Sequence, residues 1–275
     1  GLEMMLDQSA NLVGKKTDAT GMGWILKIFL PGLTAVVGFW ATLSLNIPDF
    51  TRYCKSQKDQ MLGQLFGLPT TMVFFSFIAI SITSASMILY GEALWDPAVL
   101  VERFAQESGS RGIAFATGFG LIIATLSTNI AANVVAPANS FSNAFPKYIS
   151  FKVGGLITGV IGIVICPWLI KDELGGFLVA YSGVLGPVGG VLIADYWLLR
   201  RTDLDLAELY KSDGSYRYSG GFNWIAILAV VVGVAIVLVG KLVPAVDFLF
   251  QGAWFTGFAV ALALYIGLMR GKIEE

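Results

Sequence analysis

The chain has 275 residues, of which 56% are hydrophobic and 13% charged, and its formal net charge is −1 at pH 7. Since soluble domains carry about 25% charged residues, this composition indicates a protein surrounded by lipid, and it offers no basic surface for nucleic acid. The chain contains no histidine and two cysteines, Cys54 and Cys166, which excludes a cysteine–histidine zinc cluster, an imidazole base and a disulfide framework.

Seven apolar runs of about 17 to 24 residues predict membrane-spanning helices, because this length crosses roughly 30 Å of hydrocarbon at about 1.5 Å per residue. Lys27 is the one charged residue inside the runs, and it lies near an end, from which its side chain can reach the membrane surface. The predicted spans are Trp24–Leu45, Leu68–Tyr90, Gly112–Val135, Val153–Ile170, Leu174–Ala194, Trp224–Gly240 and Phe248–Met269.

The first predicted span contains Pro31, Gly32 and Gly38, followed by Trp40. Proline and glycine in a spanning helix can mark a break at which backbone groups become available to a ligand. They are also common in membrane helices at kinks and at sites of close packing, and a single tryptophan can be a packing residue. The sequence leaves both interpretations open.

The connection after the second span, Trp95–Ser108, predicts a short helix on the outer surface. Asp96 is a suitable N-cap, and Pro97 fits the first helical position. Apolar and charged residues then alternate with helical spacing, which is typical of a helix that lies along a membrane surface.

The third predicted span carries the densest group of polar residues, ATLSTNIAAN from Ala124 to Asn133. Ala124, Ser127 and Thr128 share one helix face, and their oxygens can bind a small cation. The amides of Asn129 and Asn133 can pair with a ligand that has donors and acceptors. An ideal helix places Asn133 nearly opposite Ala124, so one compact site cannot use all of these side chains, whereas two adjacent sites on two faces could. Alternatively, the hydroxyls bond to the preceding turn and the amides hold helices together.

Lysine and arginine are concentrated in the connections on one side of the predicted spans, which the positive-inside rule assigns to the cytoplasm. We therefore expect an integral protein of the plasma (inner) membrane, with residue 1 outside and residue 275 inside. The basic residues on the predicted inner side are Arg52, Lys55, Lys58, Lys147, Lys152, Arg200, Arg201, Lys211, Arg217, Arg270 and Lys272. Those on the outer side are Lys15, Lys16, Arg103, Arg111, Lys171 and Lys241.

Four long motifs follow one another along the chain. They are GFWATLSLNIPDFTRY (38–53), STNIAANVVAPANSFSNAFPKYI (127–149), IADYWLLRR (193–201) and YSGGFN (218–223). This series resembles the nucleobase:cation symporter family 1, whose members include hydantoin, allantoin, uracil and cytosine permeases. The resemblance covers nearly the whole chain and is weakest over residues 1–23.

The resemblance implies an all-α membrane protein with the LeuT-like inverted-repeat fold, which has two five-helix repeats and two extra helices. The chain would then correspond to the part beginning just before the sixth span of such a protein. Residues 1–23 would form an external loop segment, and 24–199 the second repeat with the short external helix near 96–108. Residues 200–223 would form a cytoplasmic loop, and 224–275 two C-terminal helices and a short tail.

The resemblance also implies a binding role for single residues of the first and fifth spans. Trp40 would stack on a planar heterocycle, and the backbone around Gly38 and Phe39 would lie close to it. Leu178 would belong to the external gate.

In the third span, the resemblance implies that Asn133 pairs with the amide edge of the heterocycle. The carbonyl of Ala124 and the hydroxyls of Ser127 and Thr128 would bind sodium. The N-terminal half of the same transporter would supply the other partner groups.

The resemblance therefore implies a secondary transporter, not an enzyme, that imports a nucleobase, hydantoin or allantoin together with a cation. Sodium is the expected coupling ion and no other cofactor is expected, because no Asp or Glu lies in the core of a predicted span to relay protons. A proton-coupled permease of the same family stays possible, since the N-terminal half could hold a carboxylate. An amino-acid or amine transporter of the same fold stays possible too, as does a membrane module that does not transport.

Overall fold

The computed structural model describes residues 21–273, and this part of the chain is almost entirely helical. Short helical turns lie between the long helices, at Pro48–Thr51, Pro167–Glu173, Leu206–Leu209, Ser215–Arg217, Pro244–Val246 and Phe248–Gln251. The long helices are α1 (Met22–Asn46), α2 (Gln57–Tyr90), α3 (Pro97–Ser108), α4 (Arg111–Ala144), α5 (Phe151–Val164), α6 (Leu174–Leu199), α7 (Trp224–Leu242) and α8 (Ala253–Ile273). Of the predicted outer segment 1–23, residues 1–20 lie outside the described residues.

Seven helical segments are long and apolar enough to cross a membrane, which confirms the seven predicted spans in their order. They correspond to all the long helices except α3, and the segment of α5 continues beyond the α-helix to Leu169. Their ends differ from the prediction. α2 begins at Gln57 rather than Leu68, and its 34 residues extend over about 50 Å, well beyond the hydrocarbon. α4 continues to Ala144, and α8 begins only at Ala253, because Gly252 separates it from the turn Phe248–Gln251.

Polar side chains define where several helices begin. The Ser56 hydroxyl accepts a hydrogen bond from the Asp59 backbone N–H at 3.1 Å, which starts α2 far from its apolar part. The Asp96 carboxylate accepts from the Ala98 N–H at 2.9 Å, with Pro97 as the first residue of α3. Such caps satisfy backbone donors that have no partner within the helix.

The described helices form two compact units. The α2–α5 unit comprises residues 47–165, and the α1/α6–α8 unit comprises residues 21–46 and 166–273. In the α2–α5 unit, α4 packs against α5 at Gly154, where a Cβ atom would lie only 2.9 Å from the carbonyl oxygen of Ala138. The missing side chain thus allows two backbones to touch.

In the α1/α6–α8 unit, α6 packs against α8 along a face of small residues. A Cβ atom at Gly186 would lie 2.5 Å from the carbonyl oxygen of Trp254, and one at Gly190 would overlap the carbonyl oxygen of Phe258. Small residues let spanning helices approach closely where apolar side chains gain little by leaving lipid. Beside this contact, the buried residues form a core of Val191, Ala194, Ala229, Ala261, Tyr265 and Met269.

This close contact gives a test of the packing. We expect Gly190→Ala to lower the free energy of unfolding by about 1 kcal/mol or more, because α6 and α8 must separate to admit the methyl group. Gly176→Ala in the same helix is the matched control, since a Cβ atom there has no neighbour within 4 Å among the described residues. The measurement is reversible unfolding of the full-length protein that contains this chain. Equal effects of the two substitutions would contradict the packing.

A polar network joins α6, α7 and α8 at one end of this unit. The hydroxyl of Tyr265 in α8 donates to Asp195 at 2.8 Å and accepts from the side chain of Asn223 at 2.9 Å. Asn223 also caps α7 by accepting from the Ala226 N–H at 3.1 Å. Arg200 donates to the other oxygen of Asp195 at 2.9 Å. The motifs IADYWLLRR and YSGGFN therefore meet in one hydrogen-bonded cluster.

Candidate functional site

α1 passes through Pro31 and Gly32 without a break. It is α-helical from Leu30 to Asn46, and a π segment of 5 residues, Ile25–Phe29, lies directly before that part. Proline lacks the N–H that an α-helix needs, and here a wider π turn lies before it. The sequence had allowed an unwound segment at this place instead. The α1 helix therefore offers side chains and a π turn, rather than an open stretch of backbone, to a ligand.

Gly38 lies on the buried face of α1, with Thr34 and Ala41 one turn away on either side. A Cβ atom at Gly38 would lie 2.7 Å from the carbonyl oxygen of Leu178 and 2.9 Å from the Cβ atom of Ser182. Only glycine fits at this distance. The structure thus brings Gly38 and Leu178, predicted separately for the substrate and the gate, into direct contact.

Phe39 and Trp40 form an aromatic pair beside this contact. Their ring centroids are 5.3 Å apart and their planes are inclined by 81°, the edge-to-face arrangement that aromatic rings favour. The Phe39 side chain is 58% exposed within the described residues, and Trp40 is half-buried. Next to the tightly packed Gly38, α1 therefore carries two aromatic rings, and part of the ring surface is not covered by the described residues.

Two buried oxygens of α1 were not singled out from the sequence. Thr34 Oγ1 and Asn46 Oδ1 have no hydrogen-bond partner among the described residues, although buried polar atoms are usually paired. The sequence signal for Thr34 was its position one helical turn before Gly38. Asn46 was visible only as the first residue of the string NIPDFTRY.

The predicted cation ligands lie on α4, in the α2–α5 unit. The Ser127 hydroxyl donates to the carbonyl oxygen of Ala124 at 3.0 Å, so these two oxygens are close enough to contact one small cation. Ala124, Ser127 and Thr128 are all exposed within the described residues. The same bond is one that serine forms in many helices, so its geometry agrees with both interpretations that the sequence left open.

Asn133 lies in a second π segment, Ile130–Val134, which interrupts α4 directly after Asn129. Its side-chain amide donates to the side-chain oxygen of Asn129 at 2.6 Å, within the same helix. The amide pair therefore does not join two of the described helices. Asn133 is exposed, so its remaining donor and acceptor positions are open to a ligand.

The π segment also interrupts the α-helical geometry between Ala124 and Asn133. A π turn closes i→i+5 hydrogen bonds, so the residues after it are rotated relative to their positions on an ideal α-helix. The estimate that Asn133 lies nearly opposite Ala124 assumed an uninterrupted α-helix. That assumption was wrong, because the hydrogen-bond pattern shifts between Asn129 and Val134. Single π turns are frequent at functional sites.

The string NIPDFTRY continues from α1 into the α2–α5 unit. Asp49, in the helical turn Pro48–Thr51, accepts a hydrogen bond from the side-chain amide of Asn139 at 3.0 Å. Asn139 lies on α4, less than two helical turns after Asn133. Asp49 is thus a positioning residue for this part of α4, a role that sequence reasoning missed because the two residues are far apart in the chain.

The structure groups the predicted residues into two sets. Gly38, Phe39, Trp40 and Leu178 lie in the α1/α6–α8 unit, and Ala124, Ser127, Thr128 and Asn133 lie in the α2–α5 unit. Among the described residues, no group of His, Cys, Asp or Glu could hold a transition metal. The available ligands are backbone, hydroxyl and amide oxygens, which suit hard cations.

Curated proteins of known type are similar to this chain. The allantoin permease of Bacillus subtilis (strain 168) is 41% identical over 245 residues, which cover 88% of this chain and 49% of that protein. The purine-uracil permease of Arabidopsis thaliana is 42% identical over 221 residues, covering 78% of this chain and 36% of that protein. The hydantoin permease of Microbacterium maritypicum is 33% identical over 258 residues, covering 88% and 49%. The chain spans about half the length of these relatives or less.

A solved structure is also similar, that of a nucleobase-cation-symport-1 family transporter in a closed conformation with bromovinylhydantoin bound. It has a TM-score of 0.71 and 31% sequence identity, and the match covers 94% of this chain and 54% of that one. The chain therefore has the predicted all-α, LeuT-like membrane fold. A family model described as permease for cytosine/purines, uracil, thiamine and allantoin matches residues 4–257. On this match and these identities, the chain belongs to that permease family, the nucleobase-cation-symport-1 family, whose named members are transporters rather than enzymes.

Proposed function

We propose that this chain forms the C-terminal half of a secondary transporter that imports a nucleobase or a related planar heterocycle, such as hydantoin, allantoin, uracil or cytosine. The observation that carries the proposal is the family match over residues 4–257. The relatives are named for allantoin, purine-uracil and hydantoin, and the similar solved structure holds bromovinylhydantoin. All of these ligands are flat rings that bear amide groups.

The residues of the two units suit such a ligand. Stacking on an aromatic face is worth about 1 to 3 kcal/mol for a nucleic-acid base, and we assign this role to Trp40. A ligand that left a buried polar group of the protein without a hydrogen-bond partner would lose about as much binding free energy as stacking contributes. We assign pairing with that edge to Asn133, whose bond to Asn129 holds the side chain in one orientation. We place Gly38 and Phe39 close to the ring as part of the intact α1 helix, and we assign the gate to Leu178.

We propose sodium as the coupling ion. Ala124 provides a carbonyl oxygen 3.0 Å from the Ser127 hydroxyl, and Thr128 adds a second hydroxyl on the next residue. These neutral oxygens can bind a cation without a change in protonation. A proton-coupled permease would instead require a titrating group, which the N-terminal half would have to supply.

Uptake of radiolabelled heterocycles tests the proposal. Cells that lack their own permease and express the full-length protein should accumulate at least one of hydantoin, allantoin, uracil and cytosine. Replacing external sodium with choline should abolish the uptake, whereas a change of external pH at constant sodium should not. Uptake that follows pH instead would reassign the coupling ion to protons. Accumulation of amino acids instead of these heterocycles, or of none of these substrates at normal expression, would overturn the assignment to a heterocycle transporter.

The orientation proposed for the chain can be tested at Cys54. This residue is exposed in the connection between α1 and α2, on the side that the basic residues assign to the cytoplasm of a plasma (inner) membrane. In intact cells, an impermeant thiol reagent should label Cys54 only after the membrane has been opened. Cys54→Ser identifies the signal of this residue. Labelling of Cys54 in sealed cells, at the rate seen in opened cells, would reverse the orientation.

A further inference from the structure

A cavity of about 550 Å³ lies at one end of the α1/α6–α8 unit, and its lining includes none of the residues assigned to substrate or cation. α6 and α8 end there, α7 begins there, and the connection between α6 and α7 passes over it. Ligand sites commonly have volumes of about 300 to 1,000 Å³, so the cavity can hold a small polar group. Its lining is Arg200, Ser215, Tyr218, Ser219, Phe222, Asn223, Trp224, Ile225, Met269 and Lys272.

The charged groups of this lining have one sign. Arg200 and Lys272 are cationic, and no Asp or Glu is among the described lining residues. The hydroxyls of Ser215, Ser219 and Tyr218 add neutral donors. A cavity that combines cations with several donors favours an anionic ligand with several acceptor oxygens.

Arg200 is held in place before any ligand arrives. Its Nε donates to Asp195 at 2.9 Å, its Nη2 donates to the Tyr218 hydroxyl at 3.0 Å, and its guanidinium lies 4.5 Å from the ring centroid of Tyr216. Only 14% of its side chain is exposed. Asp195 is fixed in turn by the buried Tyr265. The positive charge of Arg200 is partly neutralised by Asp195. Lys272, at the rim of the cavity, is not part of this network and supplies a further positive charge.

The first turn of α7 also borders the cavity, at Trp224 and Ile225. The N-terminal end of a helix carries a partial positive charge, which has the same sign as the two cations. The rings of Phe222 and Trp224 are 57% and 59% exposed, and their centroids lie 5.5 Å apart. Exposed tryptophan at the end of a spanning helix is typical of the boundary between hydrocarbon and headgroups.

We propose that this cavity binds the phosphate ester headgroup of an anionic phospholipid. The cations and hydroxyls would hold the phosphate, while Phe222 and Trp224 would lie beside the start of the acyl chains. Basic pockets between spanning helices bind anionic headgroups in general. A free phosphate ester has the same headgroup chemistry but carries no acyl chains that could contact Phe222 and Trp224. The proposal does not depend on which substrate is transported.

The test is retention of lipid by the full-length protein in mixed vesicles of phosphatidylglycerol and phosphatidylcholine, read by native mass spectrometry after extraction. The parent should retain phosphatidylglycerol in preference to phosphatidylcholine. Lys272→Gln should lower the affinity for phosphatidylglycerol about fivefold, the contribution of one basic residue near a membrane surface. Lys211→Gln is the matched control. It removes the same charge from the connection over the cavity, but Lys211 pairs with Glu208 and does not line the cavity.

Three results would overturn the proposal. The first is equal retention of the two lipids by the parent. The second is an equal loss in Lys272→Gln and Lys211→Gln, which would show a general effect of surface charge. The third is binding of glycerol phosphate that displaces the retained lipid at equal concentration, which would show that the site takes a soluble phosphate ester. Unchanged tryptophan fluorescence of both variants confirms that they fold.

Discussion

Replacing Trp40 with Ala is expected to weaken binding of the heterocycle to the full-length transporter by about 1 to 3 kcal/mol, roughly 5- to 150-fold. The loss arises because the variant keeps the tight contact between Gly38 and Leu178 but removes the ring on which the substrate would stack. Trp40→Phe should recover part of the affinity, since a smaller aromatic face remains. Equilibrium binding of the radiolabelled substrate to purified protein measures the change.

Trp197→Ala is the matched control for this experiment. Trp197 also lies in a spanning helix, where it is 53% exposed, and it meets Tyr196 edge-on with centroids 5.4 Å apart and planes inclined by 84°. Its loss removes the same side chain and the same kind of ring pair, but from a position with no assigned contact to substrate. If Trp40→Ala binds as tightly as the parent, or if both variants lose affinity equally, Trp40 does not stack on the ligand.

The second large effect is expected for the double variant Ser127→Ala and Thr128→Ala. It removes two of the proposed sodium ligands while conserving most of the side-chain volume. Coupling between two bound ligands is reciprocal and typically worth about 1 to 3 kcal/mol. The variant should therefore lose the increase in substrate affinity that sodium causes, while its affinity without sodium stays that of the parent. Substrate binding across a sodium titration at constant ionic strength measures this effect.

Two further substitutions in α4 make the result specific. Thr117→Ala removes a hydroxyl that donates to Ile113 in the same helix, away from the proposed cation site, and should leave the sodium dependence unchanged. Asn133→Ala should lower substrate affinity at every sodium concentration, because Asn133 is assigned to the edge of the heterocycle. An unchanged sodium dependence in the double variant would remove Ser127 and Thr128 from the cation site.

The membrane-spanning architecture could be predicted from the sequence because it depends on simple quantities. A long apolar run almost free of charge has few stable states other than a spanning helix. The ends of the spans were harder to predict for the same reason. The polar residues before Leu68, which include Gln60 and Gln64, place the start of the apolar run there, yet the helix continues back to Gln57, where Ser56 provides a cap. Hydrophobicity therefore predicts which part of a helix lies in the membrane, whereas capping residues predict where the helix begins.

The π segments could not be predicted, although they affect the candidate site most. The shift of hydrogen bonding at Ile130–Val134 is a rare feature that no residue of the string IAANV specifies. The sequence therefore identified Asn129 and Asn133 as a pair but not the interruption of the α-helical hydrogen bonding that begins between them. Likewise, Gly38 was recognised as a helix breaker or a binding residue. In the structure it contacts Leu178, a residue distant in sequence, so only the folded chain reveals this role.

The close packing of α6 on α8 also restricts how this part of the protein can fluctuate. Where glycine places backbone against backbone, as at Gly186 and Trp254, there are no long side chains whose rotamers could change to let the helices slide. On the other helix, Gly257 packs against the ring of Pro187, a side chain that has no alternative rotamers of any length. We therefore expect the amide hydrogens of α6 and α8 to exchange with deuterated solvent slowly and as one cooperative group, before and after substrate is added.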